Sequence, residues 1–237
     1  MKPYFKKLAI GLLFSFVVII LPGYQQPWVH GQESTPALQT SQPSPHLDQI
    51  KNLVRIPLVR QTRDYTCGVA ALQSVLLYYG EEYGQLELAR ILGADPHKGT
   101  SYRAILRFAN RKFGDPQKRD FQMWKRCGMT IDDLRQVINA GKPTILFMQA
   151  WARPDVNWKT EWKEGHYVVA IGYDGSNIYF MDPSTLGHYT YIPIEEFLDR
   201  WHDKDPSIGE KLIRCGLVIG NDSKKPVYDF RIIRRME

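Results

Sequence analysis

Three residues spaced along this chain are of the types that acyl transfer through a thiol requires. Cys67 stands in QTRDYTCGVAAL (residues 61–72), His166 is the second residue of GHYVVAIG (165–172), and Asp182 follows sixteen residues after the histidine. A thiol nucleophile needs a base to take its proton and a third group to orient that base. The spacing puts the three residues on separate elements and predicts a cysteine-dependent enzyme that forms an acyl intermediate.

Cys67 is predicted to open a helix. Unpaired backbone N–H groups and the helix dipole favour an anion there, so a thiol in the first turn loses its proton more readily. Gly68 follows directly and leaves room for a substrate carbonyl to approach the backbone. The alternative is that Cys67 is a small buried residue of an amphipathic helix, as most free cysteines are.

Gln61 precedes the predicted nucleophile by six residues. Its side-chain amide, together with the N–H of Cys67, is a candidate donor to the oxygen that gains charge in a tetrahedral intermediate. The alternative is an exposed glutamine of a loop. Asp64 lies between the two residues, and we interpret it as a turn residue.

His166 is the predicted general base, because a histidine at the mouth of a strand faces a cleft and titrates near neutral pH. The alternative is a structural histidine bonded to a neighbouring loop. Other histidines lie in the leader or linker, in polar stretches or in a predicted turn, and are weaker candidates: His30, His46, His97, His188 and His202.

Asp182 is the predicted orienting acid, and strand parity tests that assignment. If residues 174–176 join the two strands, Tyr173 pairs with Asn177, and His166 lies one diagonal step from Asp182 on the same face. A two- or four-residue loop reverses the faces. The proposed site therefore requires an odd loop or a bulge. The alternative is that Asp182 only caps the end of its strand.

The elements that must position these residues are mainly helices in the first half and strands in the second. Predicted helices run from about Thr66 to Tyr79 with Gly80 as stop, Gln85–Leu92, Tyr102–Lys112, from a capping box at Thr130 to Ala140, and Ile194–Trp201. Predicted strands are Asn52–Val59, Thr144–Ala150, His166–Tyr173, Asn177–Met181, Tyr189–Ile192 and Leu212–Ile219. Helices first and an antiparallel sheet afterwards predict an α+β fold.

The N-terminal segment of the chain indicates export. A basic leader precedes the apolar run Leu8–Leu21, whose helical length of roughly 21 Å is short of the ~30 Å hydrocarbon core. We therefore predict a signal peptide over 1–31, with an uncleaved membrane anchor as the alternative. A linker rich in Pro, Ser, Thr and Gln over 32–46 and a folded domain over 47–237 follow. The predicted location is periplasmic or extracellular, with membrane association through the N-terminal segment as a further prediction.

Charge and cysteine content argue against a nucleic-acid-binding protein and against a zinc protein. The formal charge is +6, and loss of Lys2, Lys6 and Lys7 with the signal leaves 6 − 3 = +3, which is no nucleic-acid footprint. The three cysteines lack zinc-ligand spacing, so neither a metal nor a cofactor is expected. Cys127 and Cys215 are expected to be reduced, although spacing leaves their pairing open.

The segment between Ala150 and His166 bears on the substrate. It carries Trp151, Trp158 and Trp162 among charged residues. Such a loop beside the site provides an aromatic wall for substrate side chains, or else its tryptophans fill space beneath the loop. Gly68, Gly165 and Trp162 are the candidate substrate-binding residues.

The motifs together resemble the bacteriocin-processing cysteine peptidases, the family known as C39, and its stand-alone relatives. The similarity rests on Gln61-x5-Cys67-Gly-x-Ala-x-Leu72, Gly80, GHYxVxxG and Asp182-Pro183, and it covers roughly Ile56 to Trp201. It implies a papain-like α+β fold and a peptide or protein substrate. It also implies that Cys67 is the nucleophile, His166 the base, Asp182 the orienter and Gln61 part of the oxyanion hole.

Two features depart from the family pattern. The sequence contains no P-loop of an ABC exporter, and Thr66 stands where the family often has an acid. Two other functions therefore stay open beside peptide hydrolysis, namely another acyl transfer by the same thiol and a non-catalytic peptide-binding module. The sequence does not indicate an oligomeric state.

Overall fold

The computed structural model describes residues 47, 50, 52–113, 122–153, 155–205, 207–220, 226–233 and 235. The predicted signal peptide (1–31) and linker (32–46) lie outside the described residues. The helices are α1 (Cys67–Tyr78), α2 (Gln85–Leu92), α3 (Tyr102–Phe113), α4 (Ile131–Asn139) and α5 (Ile194–Arg200). The strands are β1 (Gln122–Arg126), β2 (Thr144–Gln149), β3 (Gly165–Tyr173), β4 (Asn177–Met181), β5 (Thr190–Pro193), β6 (His202–Lys204), β7 (Lys211–Ile213) and β8 (Gly216–Gly220).

The strands of the described ranges form two antiparallel sheets. Six of them make the larger sheet in the order β1-β8-β2-β3-β4-β5, and β6 pairs with β7 in a separate hairpin. The centre of the larger sheet is apolar, because every residue of β2 and nearly every residue of β3 and β4 is buried. Helix α1 packs against β3. The predicted order of helices followed by an antiparallel sheet is confirmed.

The helix ends show how local sequence sets the elements. Helix α4 begins with the predicted capping box, in which the Thr130 hydroxyl accepts from the N–H of Asp133 and the Asp133 carboxylate accepts from the N–H of Thr130. Helix α1 is followed by Gly80 at φ +80°, where a side chain would be strained. Thr66, however, does not cap α1, because its hydroxyl donates to the carbonyl of Arg63 instead.

The hairpin between β3 and β4 contains a bulge, which is one of the two alternatives that the parity argument allowed. Tyr173 pairs with Ile178, so the predicted pairing with Asn177 is wrong. The register then shifts at Ile171, and Val169 pairs with Met181. The loop between Tyr173 and Ile178 has four residues, which alone would put His166 and Asp182 on opposite faces of the sheet. The bulge adds one residue to β3 and so returns both side chains to the same face.

Two predicted strands differ from the structure. Residues 52–59 form no strand. The N–H of Val54 donates a hydrogen bond to the carbonyl of Ile171, the residue that the bulge leaves unpaired with β4. The single strand predicted for Leu212–Ile219 is split into β7 and β8, because Arg214 adopts a positive φ of 48°. Strands β1 and β6 were not predicted, since neither alternates over enough residues to be recognised.

A disulfide joins Cys127, just after β1, to Cys215, just before β8. The expectation that these cysteines are reduced is therefore wrong. Both residues lie within the compact unit 44–237, and the buried core cluster spans Ile50 to Ile219. Residues 44–237 thus contain the core and its cross-link. Among the described helices, none has the length and apolar character needed to cross a membrane.

Candidate active site

The predicted nucleophile is the first residue of α1. Cys67 is only 9% exposed and is not disulfide-bonded. Its N–H belongs to the first turn, where backbone donors have no partner within the helix. Behind it, a Cβ on Gly68 would lie 3.0 Å from the Cβ of Thr100 and 3.4 Å from the ring of Tyr167. The glycine therefore lets the helix start pack closely, which is a different reason from the predicted approach of substrate.

The start of β3 and the end of β4 bring a histidine and a carboxylate together. His166 Nε2 lies 2.8 Å from Asp182 Oδ1, and both side chains are buried. The Cys67 thiol is close enough to the same imidazole to raise its pKa. Because Nε2 faces Asp182, the other ring nitrogen, Nδ1, is the one left for the thiol. The structure thus places Cys67 beside the hydrogen-bonded pair of His166 and Asp182.

The charge state of His166 follows from its two neighbours. Burial by itself lowers the pKa of His166, but the hydrogen bonds to Asp182 and Cys67, and the negative charges of both, outweigh it and raise this pKa to about 9. Hydrogen bonds and opposite charges favour the protonated imidazole, as expected for a histidine between two acids. An imidazole held in this way can take a proton from a neighbouring thiol and can give it to a leaving group.

A tight turn after β4 holds the carboxylate. Asp182 Oδ1 also accepts from the N–H of Ser184 at 2.8 Å, which is the Asx turn that an Asp-Pro-Ser sequence favours. Ser184 in turn donates its hydroxyl to Gln61 Oε1 at 3.2 Å, and the N–H of Gln61 donates to the carbonyl of Pro183 at 2.9 Å. Ser184 was missed by sequence reasoning, although the Asx-turn pattern was visible.

Gln61 lies at this site, but its amide is engaged. The Nε2 group donates to the carbonyl oxygens of Arg63 at 2.9 Å and Asp64 at 3.1 Å. Both carbonyls belong to the turn that leads into Cys67, and Asp64 lies in that turn as predicted. A role for Gln61 in an oxyanion hole stays a prediction, and it requires one of these hydrogens to leave its carbonyl when substrate binds.

Helix α2 supplies a second clamp on the same loop. Gln85 Oε1 accepts from the N–H of Thr62 at 2.6 Å, and Gln85 Nε2 donates to the carbonyl of Arg60 at 2.9 Å. The loop that precedes Cys67 is thus held by hydrogen bonds from Gln61 within it and from Gln85 on α2. No sequence signal distinguishes Gln85 from any other polar residue at a helix start, so this contact could not be foreseen.

Behind His166, a buried polar junction joins three strands. Gln149 Nε2 donates to Asp203 Oδ1 at 3.1 Å, while its Oε1 accepts from the N–H of Glu164 at 3.0 Å. A Cβ on Gly165 would meet the Asp203 carboxylate at 2.4 Å. Gly165 is thus needed for the close approach of Asp203, beside any contact with substrate. Burial raises the pKa of Asp203 to about 7, and the neighbouring Asp205 adds to the effect.

A cavity of about 600 Å³ adjoins Asp182. Its floor is the face of the sheet that also carries His166, with Met148, Val168 and Phe180. Trp151 and Trp158 form part of its wall. Two of the three tryptophans of the insert therefore line a cavity beside the site, as one of the two interpretations predicted.

The third tryptophan has a different role. Trp162 packs against His202 with ring centroids 4.4 Å apart and ring planes tilted by 46°, and it does not line the cavity at Asp182. His202 Nε2 lies 2.6 Å from the carbonyl oxygen of Glu161, so this histidine holds the end of the insert near β3. These contacts favour a packing role for Trp162. His188, another competing histidine, is exposed, and its Nδ1 lies 3.0 Å from the carbonyl oxygen of Tyr189.

Metal ligation is not indicated in the part of the chain that the structure describes. There, no three or more His, Cys, Asp and Glu side chains are grouped as a metal site requires.

The chain is similar to known proteins in this region. A family model described as "Peptidase_C39 like family" matches residues 53–205. An uncharacterized protein of Methanothermobacter marburgensis is 28% identical over 127 residues, which cover 54% of this chain and 71% of that protein. A putative C39-like peptidase from Bacillus anthracis has the same fold, with a TM-score of 0.52, 19% identity, and 71% of this chain and 96% of that chain covered.

A second solved structure is more distant. A double glycine motif protease from an AMS/PCAT transporter, in complex with its leader peptide, aligns with a TM-score of 0.47 and 19% identity. The alignment covers 71% of this chain and 94% of that chain.

Proposed function

Because the chain belongs to the Peptidase_C39 like family, we propose that it is a cysteine peptidase whose nucleophile is Cys67. The observation that carries the proposal is the buried pair of His166 and Asp182, with 2.8 Å from Nε2 to Oδ1, beside the Cys67 thiol, which helps to raise the pKa of His166. A histidine with only a structural role would not require a buried carboxylate and a free thiol as neighbours. This arrangement supports catalysis over a binding module of the same fold.

The reaction begins with proton transfer from the Cys67 thiol to His166. The thiolate attacks the carbonyl carbon of the scissile peptide bond, and the carbonyl oxygen takes the negative charge. His166 then gives its proton to the leaving amine, and the acyl group stays on the sulfur as a thioester. Water, deprotonated by His166, attacks the thioester and releases the new carboxylate. Asp182 keeps the imidazole in the tautomer with hydrogen on Nε2 throughout.

The developing oxyanion is stabilised by backbone and side-chain donors. The N–H of Cys67 at the first turn of α1 is one donor, and the amide of Gln61 is the second. Substrate would draw one Gln61 hydrogen away from the carbonyl of Arg63 or Asp64, to which it now donates. The tethering of Gln61 to Ser184 keeps the amide close to the Asp182 turn in either state.

The cavity beside Asp182 is the proposed pocket for a substrate side chain. Its floor is apolar, its wall includes Trp151 and Trp158, and its volume of about 600 Å³ accommodates a bulky side chain. We expect peptides with a large apolar or aromatic residue close to the scissile bond to be preferred. Arg153, Glu196 and Arg200 also line the cavity and would contact the flanking residues.

The proposed location is outside the cytoplasmic membrane. The basic leader with its apolar run supports export. The disulfide between Cys127 and Cys215 supports it independently, because structural disulfides persist in oxidising compartments and are rare in the cytosol.

Incubation with a peptide library of varied central residues, read by mass spectrometry, tests the proposal. Residues 44–237 should release products with new carboxylates and favour large apolar residues at one position, and Cys67→Ala should release none. Addition of a primary amine distinguishes hydrolysis from acyl transfer, because capture of the acyl group as an amide in place of the carboxylate would mark a transferase. If wild type and Cys67→Ala bind peptides equally and cleave none, the chain is a binding module.

A further inference from the structure

The last described segment of the chain exposes an unusual density of large apolar side chains. Val227 is 62% exposed, Phe230 and Ile232 are each 52% exposed, and Ile233 is 97% exposed. Single exposed apolar residues are ordinary on a protein surface, but a contiguous group of them marks an interaction site. We call Val227, Phe230, Ile232 and Ile233, with the interspersed Arg231 and the nearby Arg235, the C-terminal apolar face.

This segment is held against the folded domain. The N–H of Val227 donates to the carbonyl of Tyr78 at the end of α1. The guanidinium of Arg55 lies 4.3 Å from the centre of the Phe230 ring, and Arg231 pairs with Asp229 at 2.8 Å. The N–H of Ile232 closes a turn onto the carbonyl of Asp229. Several contacts therefore hold the backbone of this segment. The Val227 side chain packs against Gly80, while Ile232 and Ile233 stay largely exposed.

The C-terminal apolar face adjoins the beginning of the folded domain. A cavity of about 830 Å³ is lined by Phe230 together with Leu47 and Ile50. Leu47 is itself 43% exposed and follows directly on the predicted linker. The apolar run Leu8–Leu21 ends 47 − 21 = 26 positions before Leu47 in the sequence.

The region has a net positive charge, although Arg231 is paired with Asp229. Residues 224–237 contain five Lys and Arg and two acids, a net charge of 5 − 2 = +3. Arg55, Arg231 and Arg235 belong to the described part, and Arg231 and Arg235 are exposed. Aliphatic and aromatic side chains mixed with basic ones are the composition of segments that lie in the interface of an anionic bilayer.

We propose that the C-terminal apolar face docks the folded domain onto an anionic membrane surface. The aliphatic side chains insert at the boundary between headgroups and acyl chains, and the arginines contact lipid phosphates. The attachment of the linker at Leu47, beside the same face, would let a retained N-terminal run and this face engage one bilayer. The proposal does not depend on the peptidase activity.

Vesicle sedimentation of residues 44–237 tests the docking directly, without the apolar run. The protein should sediment with vesicles of phosphatidylcholine containing roughly a third phosphatidylglycerol, and much less with pure phosphatidylcholine, since each basic residue near an anionic surface favours binding. The double variant Ile232→Asp, Ile233→Asp should lose at least about tenfold in partitioning. Its fold is checked by the thermal unfolding transition.

The matched control is Leu86→Asp, Ile91→Asp on α2, where two apolar residues are 64% and 51% exposed away from the C-terminal apolar face. This control should partition like the parent protein. Absence of parent binding to anionic vesicles, or equal binding by the Ile232→Asp, Ile233→Asp variant, would overturn the proposal. A parent dimer in size-exclusion chromatography that this variant makes monomeric would also overturn it, because the face would then join two copies.

Discussion

The three cysteines lie in two regions with different surroundings. Cys67 begins a helix, has no disulfide partner and lies beside a histidine that is hydrogen-bonded to a buried carboxylate. Cys127 and Cys215 flank neighbouring strands at the other edge of the sheet and are joined to each other. Cysteine is thus a candidate nucleophile at position 67 and a disulfide cross-link at positions 127 and 215. The neighbouring residues in the fold determine which of these two roles a cysteine has.

The largest expected effect comes from removing the thiol at the candidate site. Cys67→Ala should lower kcat/KM for a cleaved peptide by at least about a thousandfold, because no other group can form the thioester. Its free energy of unfolding should change by no more than about 1 kcal/mol, since one small side chain is shortened. Peptide cleavage assays and urea unfolding measure the two quantities. A variant that kept its activity would remove Cys67 from the mechanism.

Removal of the disulfide between Cys127 and Cys215 is expected to lower stability strongly and to leave activity nearly unchanged. The double variant Cys127→Ser, Cys215→Ser opens a cross-link between residues separated by 88 positions, which should cost about 4 kcal/mol of stability. Its kcat at low temperature should stay close to that of the parent, because the cross-link does not contact His166 or Asp182. Unfolding with and without reductant gives the first quantity. If the double variant lost as much activity as Cys67→Ala, the disulfide would be needed for catalysis, which would contradict its assignment to a structural role.

The negative charge of Asp182 is expected to help set the pKa of His166. Asp182→Asn keeps an oxygen that accepts from His166 Nε2 but removes the negative charge, so the pKa of His166 should fall from about 9. The imidazolium is needed to protonate the leaving amine, and activity is therefore lost as pH rises through this pKa. In Asp182→Asn, the alkaline limb of kcat/KM against pH should move down by at least about one unit.

A loss of activity in Asp182→Asn that is equal at every pH would indicate that Asp182 acts only by holding the turn. Ser184→Ala serves as the control, because it breaks the hydroxyl contact with Gln61 and leaves the backbone N–H that supports Asp182. Its alkaline limb should stay in place.

The smallest effect is expected at the junction behind His166. Asp203 has a folded-state pKa raised to about 7, so between about pH 4 and pH 7 the unfolded chain releases this proton and the folded chain keeps it. Its contribution to stability therefore falls as pH rises through that window. Asp203→Asn keeps an oxygen for Gln149 and for the N–H of Lys204 and removes the titration.

The difference in free energy of unfolding between Asp203→Asn and wild type should accordingly grow in favour of the variant from about pH 5 to about pH 8. Urea unfolding at the two pH values measures it. A constant difference would show that Asp203 is ionised throughout this range.

Much of the arrangement could be predicted because it depends on local sequence. The bounds of α2 and β4 agree with the structure, and the capping box at Thr130 and the stop at Gly80 follow from single residues. The parity of one hairpin required an odd loop or a bulge between His166 and Asp182; the structure has the bulge and a four-residue loop. The meeting of Cys67 with these two residues was predicted from motif and order.

The rest depends on contacts between distant segments. The pairing of Cys127 with Cys215 follows from the adjacency of β1 and β8, which neither segment indicates alone. Gly165 is small because Asp203, from a strand that was not predicted, approaches it. Gln61 donates to its own loop because that loop closes into a turn. Packing of this kind is decided by the assembled fold.

The central claim is that Cys67 and His166 form a reactive pair, and alkylation by iodoacetamide measures this without any substrate. The rate of labelling at Cys67, located by mass spectrometry, is followed against pH for wild type, His166→Ala and the control His202→Ala. The account predicts that wild type and His202→Ala are labelled rapidly at about pH 6, and that His166→Ala is at least about tenfold slower there. Equal rates in wild type and His166→Ala, or labelling only after unfolding, would contradict it.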